Sequence, residues 1–103
     1  MTEHLLHTAA AAFESALQVG VLPEGHRSRR LHGHSFLATA RARLPAGWAS
    51  FPGAEVEDLG ARLAQVVAPL DYQSLNAHVD VPTDENLARW IRAQAAPLLP
   101  SLD

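Results

Sequence analysis

A short stretch of strict alternation limits most sharply how this chain can fold. From Ser35 to Leu44 the even positions Phe36, Ala38, Ala40, Ala42 and Leu44 are apolar, while the odd positions Thr39, Arg41 and Arg43 are polar. This is the two-residue period of a half-buried strand. Downstream the period changes. From Glu55 to Val67 the apolar residues Val56, Leu59, Leu63, Val66 and Val67 recur in steps of three and four, and Glu55, Glu57 and Asp58 fall in a first turn, where negative charge complements the helix dipole. Pro69 marks the end of that helix. A second helix opens at Pro82-Thr83-Asp84-Glu85-Asn86, with Thr83 as the N-cap and Asp84 and Glu85 in the first turn. Leu87, Trp90 and Ile91 form its apolar stripe, and it stops near Pro97.

The segment from Thr8 to Val19 is harder to assign. It is small and apolar almost throughout, with Phe13 and Leu17 four apart, so periodicity does not choose between strand and helix, and its alanines favour helix. Leu22 to Arg30 reads as a loop, and so does Pro45 to Gly53. Two extended segments under two helices leave an exposed sheet edge and a thin core. Either other subunits complete the sheet, or further sequence does.

With 103 residues, 48% of them apolar and 18% charged, the chain should form one packed domain. A net charge of -3 argues against nucleic acid as a partner, because phosphate binding needs many positive groups on one face. All basic residues are arginine and alanine is abundant, a bias typical of GC-rich bacterial genomes. There is no cysteine, which excludes disulfides and thiolate chemistry. No run of eighteen apolar residues and no secretory start are present, so a cytoplasmic protein without membrane partners is expected.

The residues richest in chemistry are Leu31-His32-Gly33-His34-Ser35-Phe36. On a strand, His32 and His34 share a face, and two convergent imidazoles make half of a zinc site. Taken alone, such a pair is more often a pair of solvated or core-edge histidines. A catalytic zinc usually takes three protein nitrogens or oxygens and a water.

Further motifs surround the pair, and together they resemble the 6-pyruvoyl-tetrahydropterin synthase family, most closely its bacterial 6-carboxytetrahydropterin synthase branch of the queuosine pathway. Phe13-Glu14-Ser15-Ala16-Leu17 is similar to the first-strand motif Phe-x-Ala-Ala-His, and Pro23 to Phe36 to the loop Pro-Glu-Gly-His-x-Cys-x-x-Leu-His-Gly-His-Ser-Phe. Leu70 to Asn76 resembles Leu-Asp-His-x-x-Leu-Asn, and Pro82 to Ile91 resembles Pro-Thr-x-Glu-Asn-x-x-x-Trp-Ile. The resemblance implies an α+β T-fold, with an antiparallel sheet, two helices on one face and subunits that join their sheets. It makes the first segment a strand, and it implies that the last two strands of the fold are lacking from a single domain. It also implies a zinc lyase acting on 7,8-dihydroneopterin triphosphate, with a pterin as ligand and a homo-oligomer or a paralogous T-fold subunit as partner.

Carried over by position, the resemblance makes His32 and His34 zinc ligands. The third ligand position, however, holds Leu17, which has no lone pair. The catalytic cysteine position holds Ser28, whose hydroxyl is far harder to deprotonate than a thiol. The histidine that would pair with Asp71 is replaced by Tyr72, a residue type with a reference pKa of about 10 instead of about 6.5. The late glutamate that anchors the pterin in the family has no counterpart. His26 or His78 could supply a third nitrogen, but His7 could not, because ten extended residues span roughly 33 Å, and His4 is further still. Losing one positioned acid or base typically costs about 10²–10⁴ in rate, so the family reaction should be slow or missing. The alternative is a non-catalytic T-fold domain kept for assembly or pterin binding.

Other residues read more simply. Arg27, Arg29 and Arg30 could hold a triphosphate, although a solvated loop explains them at least as well. Asp71 suits a bracing role better than catalysis, Thr83 and Glu85 suit helix initiation, and Trp48 and Trp90 suit packing. Glu24 has no assigned role.

Overall fold

The computed structural model describes residues 5–102. A long antiparallel hairpin comes first, from β1 (His7–Leu17) to β2 (His32–Ala42). It is followed by helix α1 (Glu55–Val67), the two-residue strand β3 (Gln73–Ser74) and helix α2 (Asp84–Ala95). The sheet order is β2-β1-β3, so the alanine-rich first segment is its central strand. Pairing on both sides overrides the helical propensity of those alanines, because strand stability is set largely by neighbours. The sheet also differs from a purely antiparallel one, since β3 pairs with Ser15 and Ala16 of β1 in parallel.

The β1–β2 register places Leu17 opposite His32, Ser15 opposite His34 and Phe13 opposite Phe36. Odd residues of β1 and even residues of β2 therefore share one face. That face is the core: Ala9, Phe13, Ser15 and Leu17 are buried, as are Ala40 and Ala42. Helix α1 lies against it closely, with Gly60 so near the strand that an added Cβ would stand 3.7 Å from the Ala9 methyl. Leu59, Leu63, Val66 and Val67 face inward, whereas Val56, at the first turn, is outside the stripe and exposed.

Helix α2 begins as the sequence indicates. The Thr83 hydroxyl accepts the Asn86 backbone N–H at 3.3 Å, which satisfies one of the free donors of the first turn. Of its apolar stripe only Leu87 is buried, while Trp90 and Ile91 are half-buried, because α2 overhangs the open side of β2. The chain does not simply stop after α2. Leu102 bridges Ala42 in antiparallel fashion, and the Arg43 N–H donates to the Ser101 carbonyl at 3.1 Å. The radius of gyration is 16.0 Å, against about 13 Å for a compact domain of this length. The excess reflects an elongated shape, 53 × 29 × 19 Å.

Candidate functional site

β2 opens at His32, and its alternation sends the His32 and His34 side chains to the helix-facing side. Their ring centroids are 5.0 Å apart, edge to face at 83°. The series continues with Phe36, whose ring lies 5.9 Å from His34 and is stacked on Phe13 at 5.0 Å. His32 Nδ1 lies 2.7 Å from the Arg30 carbonyl oxygen. A carbonyl only accepts, so Nδ1 carries the proton and, in the neutral ring, Nε2 keeps the lone pair.

These rings line a recess of about 780 Å³ between β2 and α2, bordered also by Leu17, Ser28, Thr83 and Leu87. Three positions singled out from sequence, His32, His34 and Ser28, thus meet at one cavity. Leu17 meets them too: it is the Cα partner of His32 and is buried. An imidazole in its place would stand beside the pair, but the side chain there is aliphatic. The donor set is two nitrogens, one fewer than a catalytic zinc usually takes.

Neither candidate for the missing nitrogen joins the pair. His26 Nδ1 accepts the Ser28 N–H at 3.1 Å, which caps the 3-10 turn Arg27–Arg29. His78 is set edge-on against Trp90 at 5.7 Å, on α2. His7 is at the far end of β1, opposite Ala42, and His4 lies outside the described residues. Among the described residues, no group of three or more His, Cys, Asp and Glu could hold a metal ion. Arg27, Arg29 and Arg30 are exposed on the turn, and Arg29 donates to the Leu22 carbonyl at 3.3 Å.

Asp71 and Tyr72 are elsewhere. The Asp71 carboxylate accepts the Glu14 N–H at 2.9 Å, and the Tyr72 N–H donates to the Glu14 carbonyl at 2.6 Å. The pair therefore continues the β1 edge where β3 gives out, and Asp71 braces a strand 57 residues away in sequence. Tyr72 has a positive φ of 54° and is 82% exposed. With Glu14, Ala16, Gly33 and Ser35 it borders a second recess, of about 550 Å³, on the sheet face turned away from the helices. One chain thus brings Ser28 to the histidine pair, whereas Tyr72 meets His34 only at the second recess and Asp71 lines neither.

Sequence reading missed two features of these surroundings. The Asn76 side chain both accepts from Gln18 N–H at 2.9 Å and donates to Gln18 C=O at 2.8 Å, prolonging the β1 edge. Glu14 accepts the Ser35 hydroxyl across the hairpin at 2.7 Å. The signal for the first is an asparagine in a turn-rich segment, where such side chains habitually bond backbone.

A family model described as 6-pyruvoyl tetrahydropterin synthase matches residues 3–103. Among solved structures, the 6-pyruvoyl tetrahydropterin synthase of Caenorhabditis elegans superposes with a TM-score of 0.69 at 16% identity, covering 94% of this chain and 80% of that one. The three-stranded sheet with two helices matches the T-fold of that structure.

Proposed function

The chain belongs to the 6-pyruvoyl tetrahydropterin synthase family, and we propose that it is a divergent member whose His32–His34 recess takes a pterin while the family's lyase reaction is impaired. The observation that carries this reading is the pairing of buried Leu17 with His32 on the wall of the recess. It leaves two imidazoles where a Lewis-acid metal needs a third donor. The remaining working positions point the same way. Ser28 offers a hydroxyl at the recess and needs a base to become reactive, while Tyr72 turns an exposed phenol to the opposite side of the sheet.

In this reading the aromatic row His32, His34, Phe36 and Phe13 accommodates a flat heterocycle by stacking. The ligand class is a pterin or a pterin triphosphate such as 7,8-dihydroneopterin triphosphate, in keeping with the carboxytetrahydropterin branch and the queuosine route. The protein works in the cytoplasm, as a homo-oligomer or with a paralogous T-fold subunit. Among the described residues no helix is long and apolar enough to cross a membrane. The separation of Asp71 and Tyr72 from Ser28 favours a second reading, a non-catalytic T-fold domain retained for assembly or pterin binding.

Three measurements on the purified chain test the proposal: zinc per subunit, pterin binding by quenching of tryptophan fluorescence, and turnover of 7,8-dihydroneopterin triphosphate with and without added zinc. Pterin binding, well below one zinc per chain and turnover at least about 10²-fold under ordinary enzyme rates are expected. Normal turnover with one zinc per chain would refute the impairment. Loss of pterin binding would refute the assignment of the recess.

A further inference from the structure

We propose that the recess on the outer face of the sheet, between Glu14 and Tyr72, is a binding site for a guanidinium group. Of its lining it shares only His34 and Ser35 with the His32–His34 cavity, and its test involves neither a pterin nor zinc, so it stands or falls separately from the reading above.

The first observation is Tyr72 itself. A φ of 54° favours glycine, and an aromatic residue there is an outlier. Its backbone is fixed on both sides of Glu14, by its own N–H on the Glu14 carbonyl and by the neighbouring Asp71 carboxylate on the Glu14 N–H. Yet the residue is 82% exposed, so no burial in the core offsets the strained backbone. Strain kept without a packing return marks a position held for something outside the chain.

The second observation is what the ring stands beside. Glu14, Ala16, Gly33 and Ser35 share the outer face, with Glu14 opposite Ser35 and Ala16 opposite Gly33. Ala16 and Gly33 make a floor of one methyl and bare backbone. A Cβ added at Gly33 would meet nothing nearer than the Ser15 carbonyl at 3.9 Å, so the strand itself has room for a side chain there. The missing side chain keeps the recess open. The Ser35 hydroxyl orients the Glu14 carboxylate at 2.7 Å and uses one of its roughly four lone-pair positions.

Charge and shape then select the ligand. One carboxylate, Glu14, lines the site, and the aromatic ring of Tyr72 adds a further attraction for cations. A compact ammonium would use the charge alone. A guanidinium is planar, forks onto a carboxylate through two parallel N–H bonds and stacks on an aromatic ring, which matches a flat floor between a carboxylate and a phenol.

The test uses the full chain, with methylguanidinium chloride as probe, methylammonium chloride as its counterpart and constant ionic strength, followed through amide and aromatic NMR shifts. Saturable shifts at Gly33, Ser35 and Tyr72 are expected, with a Kd of about 1–10 mM and markedly weaker binding of methylammonium. Glu14→Gln keeps an acceptor for Ser35 and should weaken binding about tenfold. Tyr72→Gly takes the same backbone without strain and should weaken it about two- to fivefold. Gly33→Val should fill the floor and abolish it. If the natural ligand is an arginine of a second copy, methylguanidinium lowers the sedimenting mass; if it is a free small molecule, the mass stays constant while the shifts saturate. Non-saturating shifts, equal affinity for methylammonium, or unchanged binding in Glu14→Gln would overturn the proposal.

Discussion

Replacing Leu17 by histidine should turn the two-nitrogen pair into a three-nitrogen set. Leu17 is 5% exposed and directly opposite His32, with His34 next along the same face. Losing a buried leucine removes about 1.5–3 kcal/mol of apolar burial. At about 4–8 °C per kcal/mol for a domain of this size, Leu17→His without metal should melt roughly 6–24 °C below the parent. Free zinc at about a hundred times its Kd returns about 2.7 kcal/mol, which is a recovery of similar size. Leu17→Ala should lose about 2–5 kcal/mol and show no recovery. The assay is thermal unfolding by circular dichroism, with and without micromolar zinc, supported by metal content after gel filtration. The parent melting temperature should move little. If Leu17→His gains no stability from zinc, or if the parent already retains one zinc per chain, the geometric reasoning about this recess is wrong.

Other outcomes follow from the same structure. Asp58 is held below the usual carboxylate range, first by the Ser50 hydroxyl, then by the Ser50 N–H, with help from Arg62 and against partial desolvation. A carboxyl with a lowered folded pKa adds stability above the unfolded value of about 3.9, and that stability is lost as pH falls further. Asp58→Asn and Ser50→Ala should therefore flatten the acid limb of a melting-temperature profile and leave its neutral part with the same slope. Thr83→Ala removes the α2 cap and should cost about 1 kcal/mol in urea unfolding. Asp71→Ala strips the Glu14 N–H of its partner; about 1 kcal/mol of stability and the hydrogen-exchange protection of that amide should go together.

The parts of the fold that were legible are those whose pattern is local. The three- and four-residue steps from Glu55 to Val67 need only the helix to exist, and the Thr83 cap is written in the next three residues. β2 shows in its alternation because one of its faces is wet. β1 does not, although it too alternates between buried and exposed, because alanine stands on both of its faces and suits a helix as well as a strand. β3 is two residues long and owes its place to Glu14, Ser15 and Ala16, far upstream. The histidine pair was legible for the same reason as β2. That Leu17 completes its wall follows from register, and the Glu14–Tyr72 recess follows from a backbone angle and a long-range crossing, neither of which has a local signature.

The stitching of the far side of β1 by Asp71 and Asn76 has a consequence for synthesis. At about 5–20 residues per second, the 57 residues between Glu14 and its bracing carboxylate take about 3–11 s to emerge from a ribosome. Through that interval the hairpin exists with one flank of the older strand unsatisfied, dependent on water or on a chaperone to keep it from other nascent chains. What closes that flank is short: the side chains of Asp71 and Asn76 at its two ends and the two residues of β3 between them, a latch added to a hairpin whose other flank is already paired.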